Sequence, residues 1–186
     1  MRLLFLTVMS LCILQSCSTS KKATEKPASK NNNKVVLHTK LQKSNIPART
    51  INTKNVSVDE VVTFAETLTG IKYKYGSADK EKGFDCSGFI TYVFTHFNIQ
   101  VPRSSVQFTN AGTTVEPSTS KKGDLILFTG SDTSGWIVGH MGIITENNKG
   151  DIKFIHAASG NNKGVMESAM SSYFITRFVK IIRVFN

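Results

Sequence analysis

Apolar residues first recur at helical spacing after Ser57, where Val58, Val61, Ala65 and Leu68 share one face and predict a helix to about Thr69. Ser57-Val58-Asp59-Glu60 reads as a capping box at its start, and Gly70 suits a left-handed end residue. A second stripe, Phe89, Ile90, Val93, Phe94 and Phe97, predicts a helix from Cys86 or Ser87 to about Phe97. The pattern then changes to strand character at 124–128, 139–146, 151–157 and 177–185, with Gly, Asn and Ser clusters between. Helices come first and strands follow, so the expected fold class is α+β, with amino-terminal helices packed on a mostly antiparallel sheet.

The chain has 186 residues, which suits one domain with one core. Met1-Arg2, the apolar run from Leu3 to Leu14 and then Gln15-Ser16-Cys17 have the layout of a secretory signal, too short to span a bilayer. Leu14-Gln15-Ser16-Cys17 resembles a bacterial lipobox, although Gln15 is unusual there. That resemblance implies acylation of Cys17 and export across the inner membrane, with a lipid anchor holding the chain at a membrane that faces the wall or periplasm. Residues 18–54 are rich in Ser, Thr, Lys and Asn, carry few apolar residues and read as a flexible stalk. The expected organisation is therefore a signal over 1–17, a stalk over 18–54 and a folded domain over 55–186.

The formal charge of +10 first suggests nucleic acid, but its distribution excludes a folded reading head. Nine Lys or Arg fall in 18–54 against Glu25 alone, whereas thirteen basic residues face twelve acidic ones from 55 onward. The stalk charge suits either an anionic membrane or wall polymer, or merely a soluble linker. No nucleic-acid partner is expected, and the domain is expected to be a monomer.

Of three cysteines, Cys12 falls in the signal and Cys17 would carry lipid, leaving Cys86 as the single thiol of the mature chain. Gly83-Phe84-Asp85-Cys86-Ser87-Gly88-Phe89 puts it in the first turn of the second helix. Free amides and the helix dipole there, with an imidazolium nearby, bring a thiol pKa to roughly 3.5–7.5, which predicts a resting thiolate nucleophile. An imidazole must then act as base. His38 lies in the stalk, and His96, near the end of the second helix, reads as structural. His140 and His156 lie on two strands joined by a tight turn. A three-residue loop over Asn147, Asn148 and Lys149 would set them directly opposite each other on one face, and a two-residue loop would set them on opposite faces. The functional alternative pairs His140 with Cys86 and gives His156 the orienting role; the other is two satisfied strand histidines. No second cysteine at ligand spacing and no His-Glu-x-x-His pattern occurs, so neither metal nor cofactor is expected.

Tyr73-Lys74-Tyr75-Gly76, Asp85-Cys86-Ser87-Gly88, Val101-Pro102-Arg103-Ser104-Ser105 with Gln107, Lys122-Gly123-Asp124, His140-Met141-Gly142 and Phe154-Ile155-His156-Ala157 together resemble the NlpC family of bacterial cell-wall endopeptidases. The resemblance covers about 57–185 and implies a papain-like fold. It implies Cys86 as nucleophile, His140 as base, His156 as orienting residue, and Tyr73 as support to the nucleophile or its oxyanion. It further implies that Asp85 and Ser87 hold the amino end of a stem peptide, although Asp85 could instead only cap the helix. Arg103, Ser104 and Gln107 would line or brace the groove. The substrate implied is a peptidoglycan stem peptide, cut between γ-D-glutamyl and a diamino acid. The chain departs from the pattern in its single Gly76, in a longer segment between the histidines, and in having a stalk where many relatives carry a wall-binding domain. A wall amidase, an acyltransferase and a catalytically silent wall-binding lipoprotein remain alternatives.

Overall fold

A computed structural model describes residue 37, residues 49–160 and residues 163–185. The expected signal, Cys17 and most of the stalk lie outside the described residues. Two helices form where the apolar stripes fall. In α1 (Val58–Glu66) the Ser57 hydroxyl accepts from Asp59 N at 3.2 Å, and Val61, Val62 and Ala65 are buried. The helix closes three residues earlier than expected, in turns that lead to Gly70 at φ +88°. In α2 (Cys86–His96) Asp85 is the cap, its carboxylate accepting from Gly88 N at 2.5 Å. Phe89, Ile90, Val93 and Phe94 are fully buried on its inner face. His96 stacks on Phe64, with ring centroids 3.7 Å apart.

A hairpin of β1 (Ala78–Asp79) and β2 (Gly83–Phe84) leads into α2. The main sheet contains β3 (Thr113–Val115), β4 (Leu125–Thr129), β5 (Val138–Asn148), β6 (Asp151–Ala157), β7 (Val165–Ala169) and β8 (Phe178–Arg183), in the order β3-β8-β4-β5-β6-β7 with every pair antiparallel. All of β4 is buried because it is central: Leu125 and Leu127 join the cluster with α1 and α2, while Ile126 and Phe128 join a second cluster on the other face. Phe174 of a short helix, α3 (Ser172–Arg177), packs on that second cluster, as do Leu37, Met170 and Val115. The α+β expectation and its antiparallel sheet hold.

Three details differ from expectation. The strand expected over 177–185 begins only at Phe178, because Ser172–Arg177 is helical. The edge strands β3 and β7 have mixed, largely exposed patterns that carry little strand signal. Packing also begins before residue 55: Ile51 is 5% exposed, Thr53 is buried, and Arg49 N donates to Asn110 O at 2.9 Å. Among the described residues no helix is long and apolar enough to cross a membrane.

Gly88 shows how tightly the start of α2 is seated. A Cβ at that position would lie 2.0 Å from the Ser77 carbonyl oxygen and 2.9 Å from the Asp85 carboxylate. Ser77 cannot retreat freely, since its carbonyl accepts from Asp85 N at 2.9 Å. Gly88→Ala should therefore destabilise the domain by about 1–3 kcal/mol, seen as a lower urea midpoint at unchanged m-value. An unchanged midpoint would mean that the β1 side of the helix yields without cost.

Candidate active site

Cys86 is the first residue of α2, 8% exposed, with its thiol 3.6 Å from the carbonyl oxygen of Gly139 on β5. The next residue on that strand is His140. Cys86, His140, His156 and Tyr73 all line one cavity of about 530 Å³, a size suited to a short peptide segment or small ligand. Tyr73 is brought there by its bridge to Phe84 and by its amide, which donates to Lys163 O at 3.0 Å. Burial, with the charges of Cys86 and Asp85 nearby, holds its phenol above the ordinary value.

The two histidines meet through a register shift. The loop between β5 and β6 has two residues, since Asn148 pairs with Asp151, and that register alone would put the rings on opposite faces. A bulge between Ile144 and Glu146 changes the register, so Ile143 pairs with Ile155. His156 consequently lies on the same face as His140, diagonal to it rather than directly opposite. His140 Nε2 and His156 Nδ1 are 2.7 Å apart and share one proton. With Nε2 engaged, Nδ1 is the ring nitrogen of His140 left for a thiol proton. His156 Nε2 continues the chain to Ser168 Oγ at 3.0 Å, and the rings of Phe154 and Phe174 flank it at 5.0 and 5.5 Å.

Electrostatics correct the expectation of a resting thiolate. Burial pushes the Cys86 thiol up to about 11, the Asp85 carboxylate adds to this, and the helix-start amides oppose it without prevailing. Burial lowers His140 to about 4 and His156 to about 3, with the charges of His140 and Lys163 also acting on His156. The resting pair at neutral pH is therefore thiol and neutral imidazole.

Asp85, Ser87, Arg103 and Ser104 do not line the cavity. Asp85 Oδ1 accepts from Gly88 N, from Ser87 Oγ at 3.3 Å and from Arg103 Nη1 at 3.0 Å, while Oδ2 accepts from Arg103 Nη2 at 2.8 Å. Arg103 Nη1 also reaches Ser87 Oγ at 3.1 Å. These contacts make Asp85 a cap of α2, with Ser87 and Arg103 bracing the helix start, and leave Oδ2 with the single contact to Arg103. Ser104 Oγ donates to Gln107 Oε1 at 2.9 Å, at the head of a 3-10 turn over Ser105–Asn110. Asp124 is structural: its carboxylate accepts from Lys121 N at 2.8 Å and pairs with Arg183 at 2.7 Å. Sequence reasoning missed Ser168, Lys163, Tyr173 and Arg177, which join the cavity wall from β7, the loop before it and α3. Only the turn residues around Gly160 and Gly164 hinted at a further strand. Among the described residues no three His, Cys, Asp or Glu gather as a metal site.

A helix-start cysteine set against histidines borne on an antiparallel sheet defines the papain-like class of α+β domains. Within that class the chain belongs to the NlpC/P60 family, whose model matches residues 70–183. It is 34% identical over 119 residues to murein DD-endopeptidase MepS/murein LD-carboxypeptidase of Escherichia coli K12, covering 63% of this chain and 57% of that one. It is 30% identical over 130 residues to gamma-DL-glutamyl hydrolase of Bacillus subtilis 168, covering 70% of this chain and 30% of that one. The chain thus spans less than two thirds of the length of either relative. The crystal structure of an NlpC/P60 family protein from Bacillus cereus ATCC 10987 has the same fold, with a TM-score of 0.61 at 23% identity over 75% of this chain and 41% of that one.

Proposed function

We propose that this domain is a cysteine endopeptidase that hydrolyses amide bonds in peptidoglycan stem peptides, at the bond between γ-D-glutamyl and a diamino acid. The observation that carries the reading is the shared cavity of Cys86, Tyr73 and the hydrogen-bonded histidine pair. The family assignment and the relative named as a murein DD-endopeptidase and murein LD-carboxypeptidase support the substrate class.

In the proposed reaction His140 Nδ1 takes the thiol proton as Cys86 Sγ bonds to the carbonyl carbon. The oxyanion so formed accepts from the Cys86 amide and the Tyr73 hydroxyl. The C–N bond then breaks, His140 gives the proton to the leaving amine, and a thioester remains on Cys86. Water attacks the thioester, loses a proton to His140 and releases the acid, and the sulfur regains its proton. His156 orients His140 through the Nε2–Nδ1 contact.

Digestion of purified peptidoglycan by the full-length chain, with fragments identified by mass spectrometry, tests this. Fragments that begin with the diamino acid are expected. Release only at the D-alanyl cross-link would keep the peptidase and overturn the bond; release of whole stems from glycan would indicate an amidase. Lipidation of Cys17 and attachment to a bacterial membrane belong to the same proposal, motivated by the Leu14-Gln15-Ser16-Cys17 segment. Membrane fractionation of Cys17→Ala should show the protein released, and retention would exclude the anchor.

A further inference from the structure

The cavity wall carries two cations, Lys163 and Arg177, and no Asp or Glu. Neither cation has a carboxylate partner among the described residues. They approach from different elements, Lys163 from the loop before β7 and Arg177 from the end of α3. The backbone of Lys163 is held where it is used: its carbonyl accepts from Tyr73 N and its amide donates to Gly160 O at 3.3 Å. Its charge reaches His156, whose protonation it disfavours. The guanidinium of Arg177 lies over the Tyr173 ring at 3.8 Å, and Nη1 donates to the Tyr173 carbonyl at 3.1 Å. Stacking of this kind fixes the plane of the fork. Its Nε is buried and has no acceptor among the described residues.

An unpaired cation is ordinary on an open surface. Two of them on the wall of one cavity that also holds the nucleophile, with the acids Asp85 and Glu167 turned to other partners, make an anionic ligand the complementary one. A planar fork held by an aromatic ring matches a carboxylate better than a point anion does. We propose that Arg177 and Lys163 form a carboxylate subsite, so that the cleft selects acidic peptides whose free carboxylates lie beside the scissile bond. This rests on the peptidase reading only for the identity of the peptide; the subsite itself is a binding property.

The test compares a stem peptide bearing free carboxylates with the same peptide fully amidated. Calorimetry uses the full-length Cys86→Ala chain, which binds without turnover, and kcat/KM is measured on the active chain. The acid should bind at least about tenfold tighter than the amide, and the preference should shrink as salt rises. Arg177→Gln should reduce the acid-to-amide ratio about tenfold, and Arg177→Lys should restore part of it because charge returns without the fork. Lys163→Gln, at an exposed position, should lower the ratio less and serves where Arg177→Gln disturbs α3. Equal binding of acid and amide, or a ratio untouched by both Gln variants, overturns the subsite. If the active chain cuts no wall peptide while the carboxylate preference persists, the peptidase reading fails and the subsite stands. Cleavage with no preference gives the reverse.

Discussion

Cys86→Ala should lower release of stem-peptide fragments by at least about ten-thousandfold while leaving the fold intact. The size of the effect follows from the neutral resting state. A thiol raised to about 11 is a poor nucleophile at neutral pH, and in the proposed mechanism it becomes one only as its proton passes to His140. No second thiol among the described residues could substitute, since Cys86 is the free cysteine there. The substitution removes a small, nearly buried sulfur that donates only a weak hydrogen bond, to Gly139 O at 3.6 Å, so the unfolding midpoint should move little. Activity of Cys86→Ala within tenfold of the unaltered chain would remove the covalent mechanism and leave the cavity as a binding site.

Much of the fold could be read in the order of residues because its strongest signals are local. Val61, Ala65 and Leu68 share the face that packs, and Asp85 stands where a cap must be, so both helices and the place of Cys86 follow from spacing and end chemistry. Strands β4 to β6 were legible for a related reason: β4 is buried throughout, and β5 and β6 each hold a run of four buried residues that leaves an apolar signature. The histidine pairing was legible only in outcome. Its route, a two-residue loop compensated by a bulge at Thr145, depends on how β5 meets β6, and no local composition specifies that register.

The rest of the cavity was hidden because it comes from elements without a pattern. Edge strand β7 is mostly exposed, and α3 has six residues and no buried stripe, yet they contribute Ser168, Tyr173 and Arg177. The protonation state was misread for a different physical reason. A helix start favours a thiolate by short-range dipoles, but the same packing that aligns those dipoles excludes water, and here exclusion is the larger effect.

His140→Ala should be nearly as damaging as Cys86→Ala, lowering kcat/KM by about a thousandfold or more, because the thiol then loses the imidazole that the proposed mechanism assigns to take its proton. His156→Ala should leave measurable activity, since that residue acts through His140; loss equal to that of Cys86→Ala would give His156 a direct part in proton transfer. The two positions also differ in how pH acts. In the unaltered chain neutral His140 is the competent form, so kcat/KM should hold from neutrality to about pH 5 and fall as pH drops through about 4. Stability follows a different course. An unfolded histidine has a pKa of about 6.5, and His156, 3% exposed, is lowered to about 3 in the fold, so the unfolded chain binds more protons between those values. Stability is therefore full above about pH 6.5 and is lost progressively as pH falls toward about 3. Replacing His156 by Gln removes that titration, and the urea midpoint should then decline less steeply over the same range. A midpoint for His156→Gln that tracks the unaltered chain would show that the buried ring is already charged, and the shared proton between His140 and His156 would have to be reassigned.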